Sequence, residues 1–507
     1  MALLDQLDQL KTQFGPQEAQ QIQALLERAA RLRIQDAETL VRFHELLLFI
    51  RAYPHNARVL RLTETQLRGI SARVSVLRDR DVDLSMLEHP EVSGIAGTSV
   101  TDTFSFYIVR WLVQQFPRQL AIYWDWFESE NRVAETWPRF MPLLEEDANV
   151  EANVPYREWL TAARGRESEL AWLITRFDKL PLSEKQKAEL YDSQQLYVTW
   201  TPHYRSTRTG LRLSASDTFY HIGPLIQRRE IDLRNDVNAP PPALKKLSAS
   251  DGKQALDLAR EASTIRYREL YGFTHGDPAH VYAADLGRGV QLFVMGVPPD
   301  KRLPLRAYHA AMIYKNGVPI GYFEGLSLFE RMESGFNLYY TFRDGETAWL
   351  YARILNVMHH FAGVTSFAID PYQVGHENEE GIESGAFWFY RKLGFRPTRR
   401  DVLQLVEKEE EKMATRPAYR TSARTLRKLA ASPMIFELDQ TRSGDWDGFQ
   451  VRKIGLRMQR RKAGSLSVLA PDFKLVARAK NATEETTYLE LMRRHEKLRK
   501  QIIKLGS

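Results

Sequence analysis

Hydrophobic residues recur every three or four positions through most of the first 235 residues, which is the spacing of amphipathic helices. Residues 16–32 and 36–53 both show this period, and Asp36 stands where an N-cap is expected. Residues 104–116 predict a strongly apolar helix, and 120–127 continue the same pattern. This pattern predicts a mainly helical N-terminal domain over residues 1–235.

The pattern changes after three consecutive prolines at 240–242, which predict a stiff linker over 236–250. Short apolar runs typical of strands then alternate with helical segments. Their order predicts an α/β unit with a mixed sheet over 251–397. The predicted elements are helix 251–271, strands 281–285 and 290–295, a hairpin of 307–314 and 318–328 around Asn316-Gly317, strand 335–342, helix 346–360 and strand 364–369. Between the hairpin and strand 335–342, residues 330–333 are expected to form an exposed turn.

A short aromatic stretch at 384–395 predicts a helix near the end of this unit. Ala386, Phe389, Tyr390 and Leu393 share one helical face, and Gly394 suits a left-handed C-cap. Beyond it, residues 398–507 form a basic and mainly helical C-terminal region. The elements predicted there are helices 402–413, 421–429 and 486–505 and strands 449–458 and 465–469.

Composition narrows the class of protein. The 507 residues include no cysteine, which excludes disulfides and thiolate chemistry. There is no apolar run of membrane-spanning length, and the N-terminus predicts an amphipathic helix instead of a signal peptide. We therefore expect a cytoplasmic protein.

The positive charge is concentrated at the C-terminal end. Residues 396–507 contain 26 Lys and Arg and 14 Asp and Glu, a net charge of +12. Since the whole chain has a net charge of +7, the first 395 residues have a net charge of −5. A basic cluster in this region comprises Arg452, Lys453, Arg457, Arg460, Arg461, Lys462 and Lys474. No nucleic-acid motif accompanies the cluster, so a nucleic acid is the less favoured partner.

Residues 251–397 resemble the GNAT (general-control-related N-acetyltransferase) superfamily. The order of elements is similar, and Ala386, Tyr390, Gly394 and Phe395 hold the spacing of a family helix. Glu383 stands where the family has Asn. The resemblance covers less than a third of the chain, and it implies an acyltransferase that uses acetyl-CoA or another acyl-CoA as co-substrate.

The resemblance also implies where the acyl donor binds. In this family a turn at a helix N-terminus binds the diphosphate, because the first N–H groups of a helix have no partner. Here that turn would be Arg343, Gly345, Thr347 and Ala348, with one residue fewer than the family pattern between Arg343 and Gly345. Asp344 and Glu346 would repel a phosphate unless they point away.

The resemblance implies catalytic residues as well. A backbone N–H within the segment Leu338, Tyr339, Tyr340 and Thr341 would stabilise the oxyanion, and Tyr390 would protonate the thiolate leaving group. The base stays open among three residues. Glu324 lies on a hairpin strand, and His376 and Glu379 lie in a polar insert at 370–382. His376 among carboxylates also suggests a divalent metal, but the spacing matches no ligand motif, so no metal site is predicted.

Two functions remain open from the sequence. The first is transfer of an acyl group to an amine-bearing acceptor, which the acidic insert predicts to be cationic. The alternative is a catalytically inactive GNAT-like scaffold that binds a protein or nucleic acid. A different donor such as an aminoacyl-tRNA would use the basic C-terminal region. The oligomeric state is not predicted.

Overall fold

The chain divides into two units of different construction. In this computed structural model the first unit comprises 1–214, 220–222 and 257–270, and the second comprises 215–219, 223–256 and 271–507. None of the helices formed by the described residues is long and apolar enough to cross a bilayer. The structure describes residues 2–126, 132, 136–140, 155–214, 217–460 and 484–507.

The first unit consists mainly of helices with a small antiparallel sheet. Its strands are β1 (Val100–Asp102), β2 (Leu120–Ile122) and β3 (Val198–Trp200), in the order β1-β3-β2. The helix predicted over 120–127 is therefore wrong, since Leu120 pairs with Trp200 in β3. The helices are α1 (Ala2–Leu10), α2 (Pro16–Ala29), α3 (Ala37–Ala52), α4 (Ala57–Arg68), α5 (Ile70–Arg78), α6 (Phe106–Gln115), α7 (Tyr156–Ala163), α8 (Glu169–Lys179) and α9 (Glu184–Asp192).

Helix α3 forms the centre of this unit. It is apolar on nearly all sides, as a helix surrounded by others must be. Asp36 caps it as predicted and accepts from Thr39 N–H at 2.7 Å. Its buried polar side chains are all partnered: Glu45, for example, pairs with Arg208 at 2.8 Å. Helix α3 thus orders the interior of the unit through both packing and hydrogen bonds.

The second unit is built on a nine-stranded mixed sheet. The strands are β4 (Leu244–Lys246), β5 (Val281–Gly287), β6 (Val290–Met295), β7 (Ala307–Lys315), β8 (Val318–Leu328), β9 (Arg331–Leu338), β10 (Ser366–Ile369), β11 (Arg396–Pro397) and β12 (Met434–Glu437). They lie in the order β11-β12-β10-β9-β8-β7-β6-β5-β4. Among these described strands, β9 and β10 pair in parallel, and all other neighbours are antiparallel. The α/β class and mixed sheet are as predicted.

Helices accompany the sheet along the chain. They are α10 (Leu233–Asn238), α11 (Ala249–Thr264), α12 (Tyr271–Thr274), α13 (Thr347–Ala362), α14 (Glu379–Glu383), α15 (Ala386–Arg391), α16 (Arg400–Thr415), α17 (Ala423–Leu429), α18 (Val451–Arg460), α19 (Glu485–Arg493) and α20 (Glu496–Gly506). The residues of α11 divide between the units after Leu256. Ten of the sixteen residues of α13 are buried, so this helix carries much of the core.

The hairpin and the helix stops confirm the turn predictions. Asn316 and Gly317 both have positive φ, 49° and 78°, as the tight turn between β7 and β8 requires. Gly363 ends α13 in the left-handed region, and Gly394 follows α15 with φ of 101°. Local backbone chemistry therefore sets these boundaries.

Three further predictions, all for the second unit, are wrong. Residues 331–333 begin β9 instead of an exposed turn, and Met332 is fully buried because β8 and β10 flank it. Residues 451–460 form α18 instead of a strand, because their apolar residues follow a helical period. The predicted helix 486–505 is two helices separated near His495. The strand predicted at 465–469 lies outside the described residues.

The proline-rich segment is ordered within the second unit. Strand β4 lies in it and pairs with β5 at the edge of the sheet. Just before the prolines, the Asn356 side chain of α13 donates to the carbonyl oxygens of Val237 at 3.0 Å and Ala239 at 2.7 Å. Asn356 is fully buried, so one amide satisfies carbonyls at the end of α10.

We expect Asn356→Ala to destabilise the protein by about 2–4 kcal/mol, since it leaves buried carbonyls without donors and a small void. Urea unfolding followed by circular dichroism measures the loss. Asn238→Ala is the control, because Asn238 is exposed and its side chain makes only a local bond to Arg234 O. Equal losses in the two variants would contradict this role for Asn356.

Candidate active site

The parallel pair β9–β10 ends early and opens a gap in the sheet. The pairing runs only from Arg331–Ser366 to Glu333–Ala368, whereas β9 continues to Leu338. Residues 335–338 therefore have β8 on one side, and none of the strands formed by the described residues lies on the other. The gap lies near the middle of the sheet, between two strands that are elsewhere neighbours.

The register shows which backbone groups face the gap. Tyr339 N–H donates to Ile320 O at 3.0 Å, and hydrogen-bonded pairs alternate along an antiparallel ladder. The N–H groups of Phe336 and Leu338 therefore point away from β8, toward the gap. The Leu338 carbonyl points the same way and accepts from Arg343 Nε at 3.4 Å. Of the four predicted oxyanion donors, Leu338 alone keeps this position, because β9 ends there and Tyr340–Phe342 form a 3₁₀ turn.

A cavity of about 270 Å³ occupies the gap. Its walls come from residues 335–338 of β9, the turn at 343–347 that was predicted to bind phosphate, the insert after β10, and α15. The lining residues are Phe336, Asn337, Leu338, Arg343, Thr347, Gln373, Asn378, Glu380, Gly381, Ser384, Ala386, Phe389 and Tyr390. Eight of these thirteen lining residues have polar side chains, so the cavity suits a ligand that carries several polar groups.

The predicted phosphate turn precedes α13, and Glu346 points into the protein. Glu346 is 2 % exposed; one of its oxygens accepts from Arg288 Nε at 3.0 Å and lies 3.7 Å from the Lys315 ammonium. Burial lowers the pKa of Lys315 to about 7, although Glu346 opposes that shift. Glu346 is thus neutralised on the inner side of the turn, and the exposed acidic group that remains is Asp344.

The other turn residues have mixed roles. Gly345 N–H donates to Phe342 O at 3.0 Å, and the Thr347 hydroxyl donates to Arg343 O at 3.0 Å, so both stabilise the turn itself. Ala348 is buried behind them. The first-turn N–H groups of α13 have no partner within the helix, which is the usual condition of a helix N-terminus. These groups and Arg343 form the cationic end of the cavity.

Arg343 is itself paired. Its guanidinium forms an ion pair with Glu380 of α14, and both side chains line the cavity. The pair is partly exposed, at 41 % for Arg343 and 48 % for Glu380. The sequence did not indicate this pair, since 37 residues separate its members.

Tyr390 lies at the wall formed by α15. It is 3 % exposed, and its ring packs edge-on against Tyr351 and Phe395 with centroids 5.6 Å apart in each case. Burial raises the pKa of the Tyr390 phenol, so the group stays protonated at neutral pH. A protonated phenol that lines a cavity can donate a proton to an anion formed there.

Glu324 lies on β8 opposite Gly335 of β9. Its carboxylate accepts a hydrogen bond from the Tyr308 hydroxyl. Burial raises the pKa of Glu324, and the bond from Tyr308 offsets part of that shift. Glu324 does not line the cavity, but Gln373, which does, approaches the open space above Gly335. Glu324 is therefore close to the cavity, because it and Gln373 both lie on the side of Gly335 where a Cβ would point.

The two predicted bases in the insert are exposed and lie outside the cavity lining. His376 makes only a backbone bond, from its N–H to Pro371 O at 3.0 Å. Glu379 forms an ion pair with Arg427 of α17 at 2.9 Å. In the part of the chain that the structure describes, no three His, Asp or Glu side chains are arranged to hold a metal ion.

Several lining residues were missed from the sequence. Asn378 precedes Glu379-Glu380 and caps α14, a helix start that residue order indicates. Gly321 stands opposite Leu338, where any Cβ would collide with the Asn337 carbonyl oxygen. A glycine inside a strand can signal such close approach. No sequence pattern indicated that Gln373, Asn337 and Ser384 would line a cavity.

Two residues of the predicted basic cluster, Lys453 and Arg457, form hydrogen bonds within the second unit. Lys453 donates to Ser507 O at 2.8 Å, and Arg457 donates to Leu505 O at 2.9 Å. Both cap the carboxyl end of α20, where cations are favoured. The Arg460 side chain, Arg461, Lys462 and Lys474 lie outside the described residues.

Comparisons with family models, with curated proteins and with solved structures find no match to this chain.

Glu346→Gln should destabilise the protein by about 3 kcal/mol, because it leaves the buried Lys315 and the half-buried Arg288 without their counter-charge. The control is Asp344→Asn, which removes the neighbouring charge at an exposed position and should cost less than about 1 kcal/mol. Thermal and urea unfolding of both variants measure the difference. Similar losses would mean that the inward carboxylate does not hold the turn.

Proposed function

We propose that this protein is an acyltransferase that moves an acyl group from acyl-CoA to an amine-bearing acceptor. The observation that carries this proposal is the unpaired edge of β9 beside a cavity that also contains a helix N-terminus and a buried tyrosine. The family resemblance of residues 251–397 agrees with that arrangement, since its fold places the donor between two diverging parallel strands. The position of the parallel pair within the strand order supports this reading.

The free edge of β9 suits the pantetheine arm of coenzyme A. This arm contains amide groups, which can pair with the N–H of Phe336 and the N–H and carbonyl of Leu338 as an added strand would. The diphosphate would then lie at the first turn of α13, near Arg343. The thioester would lie deeper, toward Tyr390 and the end of β10.

Acyl transfer makes three demands on the site. The acceptor nitrogen must lose a proton and attack the thioester carbon, the carbonyl oxygen becomes an oxyanion, and the C–S bond breaks to release a thiolate. An N–H of the β9 edge, from Leu338 or Phe336, would donate to the oxyanion. Tyr390 would protonate the thiolate, and its raised pKa keeps that proton available until the leaving group forms.

Glu324 is the best placed of the three predicted bases. It has a raised pKa and lies one strand away from the cavity, whereas His376 and Glu379 are exposed outside it. A water or the Gln373 amide would have to link it to the acceptor. Glu379 and Glu380 are paired with arginines, so the insert carries less free negative charge than its sequence indicates. The proposal that the acceptor is cationic therefore depends mainly on the charge of Glu324.

A scaffold without catalysis is the second candidate. Two observations favour it: Glu380 occupies the Arg343 guanidinium, and the insert residues Gln373, Asn378 and Gly381 line the cavity that a donor would enter. A scaffold would neither bind acyl-CoA nor transfer its acyl group. The unpaired β9 edge inside a cavity favours the enzyme, because a purely structural sheet would pair or cover it.

Acetyl-CoA should raise the Tm of the wild-type protein and support acetylation of at least one member of a panel of amines, polyamines and lysine peptides. Tyr390→Phe should keep the Tm shift and lower kcat by a factor of roughly 10² or more. Tyr372→Phe is the control, since Tyr372 is exposed at 55 % and does not line the cavity. No Tm shift with any acyl-CoA would contradict the proposal, and unchanged turnover in Tyr390→Phe would remove this tyrosine from the mechanism.

The pH profile tests Glu324 separately. A base works only when ionised, so kcat/KM should rise with pH through the raised pKa of Glu324 and level off above it. Glu324→Gln should lose that ascending limb and most of the activity. Tyr308→Phe removes the hydrogen bond that stabilises the ionised form, so it should move the limb to higher pH. A limb that persists unchanged in Glu324→Gln would assign the base to another group.

A further inference from the structure

Helix α14 is held by two adjacent carboxylates that face different partners. Glu379 pairs with Arg427 on α17, with both its oxygens 2.9 Å from Arg427 Nη2. Glu380 pairs with Arg343 at the phosphate turn. One carboxylate thus ties the helix to the C-terminal part of the unit, and the other ties it to the wall of the cavity.

The Arg343–Glu380 contact spans the cationic end of the cavity. Arg343 also donates to the Leu338 carbonyl at the unpaired edge of β9, and Thr347 of α13 donates back to the Arg343 carbonyl. The first bond holds the guanidinium at the strand edge, and the second holds the Arg343 backbone at the start of α13. Its charge is directed at the insert, where Glu380 meets it.

Exposure makes this contact easy to break. Both side chains are more than two-fifths exposed, and exposed ion pairs contribute little to stability because water and salt screen them. A phosphate that reached Arg343 would combine charge-assisted bonds from the guanidinium with N–H groups of α13. A competing phosphate therefore has more donors available to it than Glu380 uses.

We propose that Glu380 is an internal counter-ion which occupies Arg343 in the empty site and is displaced when the diphosphate of a donor binds. This inference rests on the proposed function, since it takes the cavity to be a phosphate-bearing donor site. Displacement frees α14 from the turn on the cavity side, while Glu379 and Arg427 keep its other attachment. The acidic residue of the insert thus sets the affinity for the donor and couples donor binding to movement of the insert.

The experiment compares Glu380→Gln with Glu379→Gln, a matched control one residue away that also loses an arginine partner. Calorimetry at low ionic strength measures Kd for coenzyme A, for pantetheine and for inorganic pyrophosphate. We expect Glu380→Gln to tighten binding of coenzyme A and pyrophosphate roughly two- to fivefold and to leave that of uncharged pantetheine unchanged. Glu379→Gln should leave all three unchanged. In the wild type, coenzyme A should speed hydrogen exchange of the amides in 379–383.

Each result decides one of the two proposals. If the wild type binds coenzyme A and Glu380→Gln binds it no more tightly, the counter-ion is overturned, and the acyltransferase stands if acetyl transfer is observed. Tighter pyrophosphate binding by Glu380→Gln, with no acyl-CoA bound or consumed, supports the counter-ion and contradicts the acyltransferase. If no phosphate compound binds either protein, both proposals fail. If Glu379→Gln and Glu380→Gln tighten binding equally, the effect comes from the change in net charge alone. That result would overturn the specific role of Glu380.

Discussion

The early end of pairing between β9 and β10 is the constraint on which the candidate site depends. Backbone N–H and C=O groups inside a sheet are normally satisfied by both neighbours. Here the parallel ladder stops at Glu333, and β9 continues to Leu338 with β8 as the one described strand beside residues 335–338. Gly321 helps to hold that segment, because a side chain there would push β8 away from Asn337. The site is therefore a consequence of strand geometry before any side chain contributes.

Buried charge fixes the second wall of the site. Glu346 turns inward to Arg288 and Lys315, residues that stand at the two hairpin turns after β5 and β7. The start of α13 is thereby tied to two hairpin turns at the same end of the sheet as the end of β9. A buried ion pair of this kind contributes less to stability than to defining one geometry, which is what a binding turn requires. Glu346 was expected from the sequence to repel a phosphate, but it points inward and positions the turn.

The sequence predicted elements better than it predicted contacts. The hairpin at Asn316-Gly317, the stop at Gly363 and the cap at Asp36 were all predicted, because each depends on local backbone chemistry. The start of β9 was missed, since Arg331 and Glu333 look exposed in sequence yet pair with each other at 3.6 Å within the sheet. The family resemblance indicated Tyr390 as a site residue, and Tyr390 lines the cavity, but the resemblance did not indicate the other lining residues Gln373 and Ser384. The Arg343–Glu380 and Glu346–Lys315 ion pairs could not be predicted from the sequence, because they join residues that are distant along the chain.

Pairing also changes what the acidic insert implies about an acceptor. Charge counted along 370–382 suggests an anionic surface that attracts cations, but Glu379 and Glu380 are each neutralised by an arginine from outside the insert. A field that selects a substrate must come from charges without a nearby counter-ion. Among the predicted bases only Glu324 meets that condition, since its partner is the neutral Tyr308 hydroxyl. Selectivity for a protonated amine would then arise at one buried carboxylate, and it would weaken at low pH as that carboxylate becomes protonated.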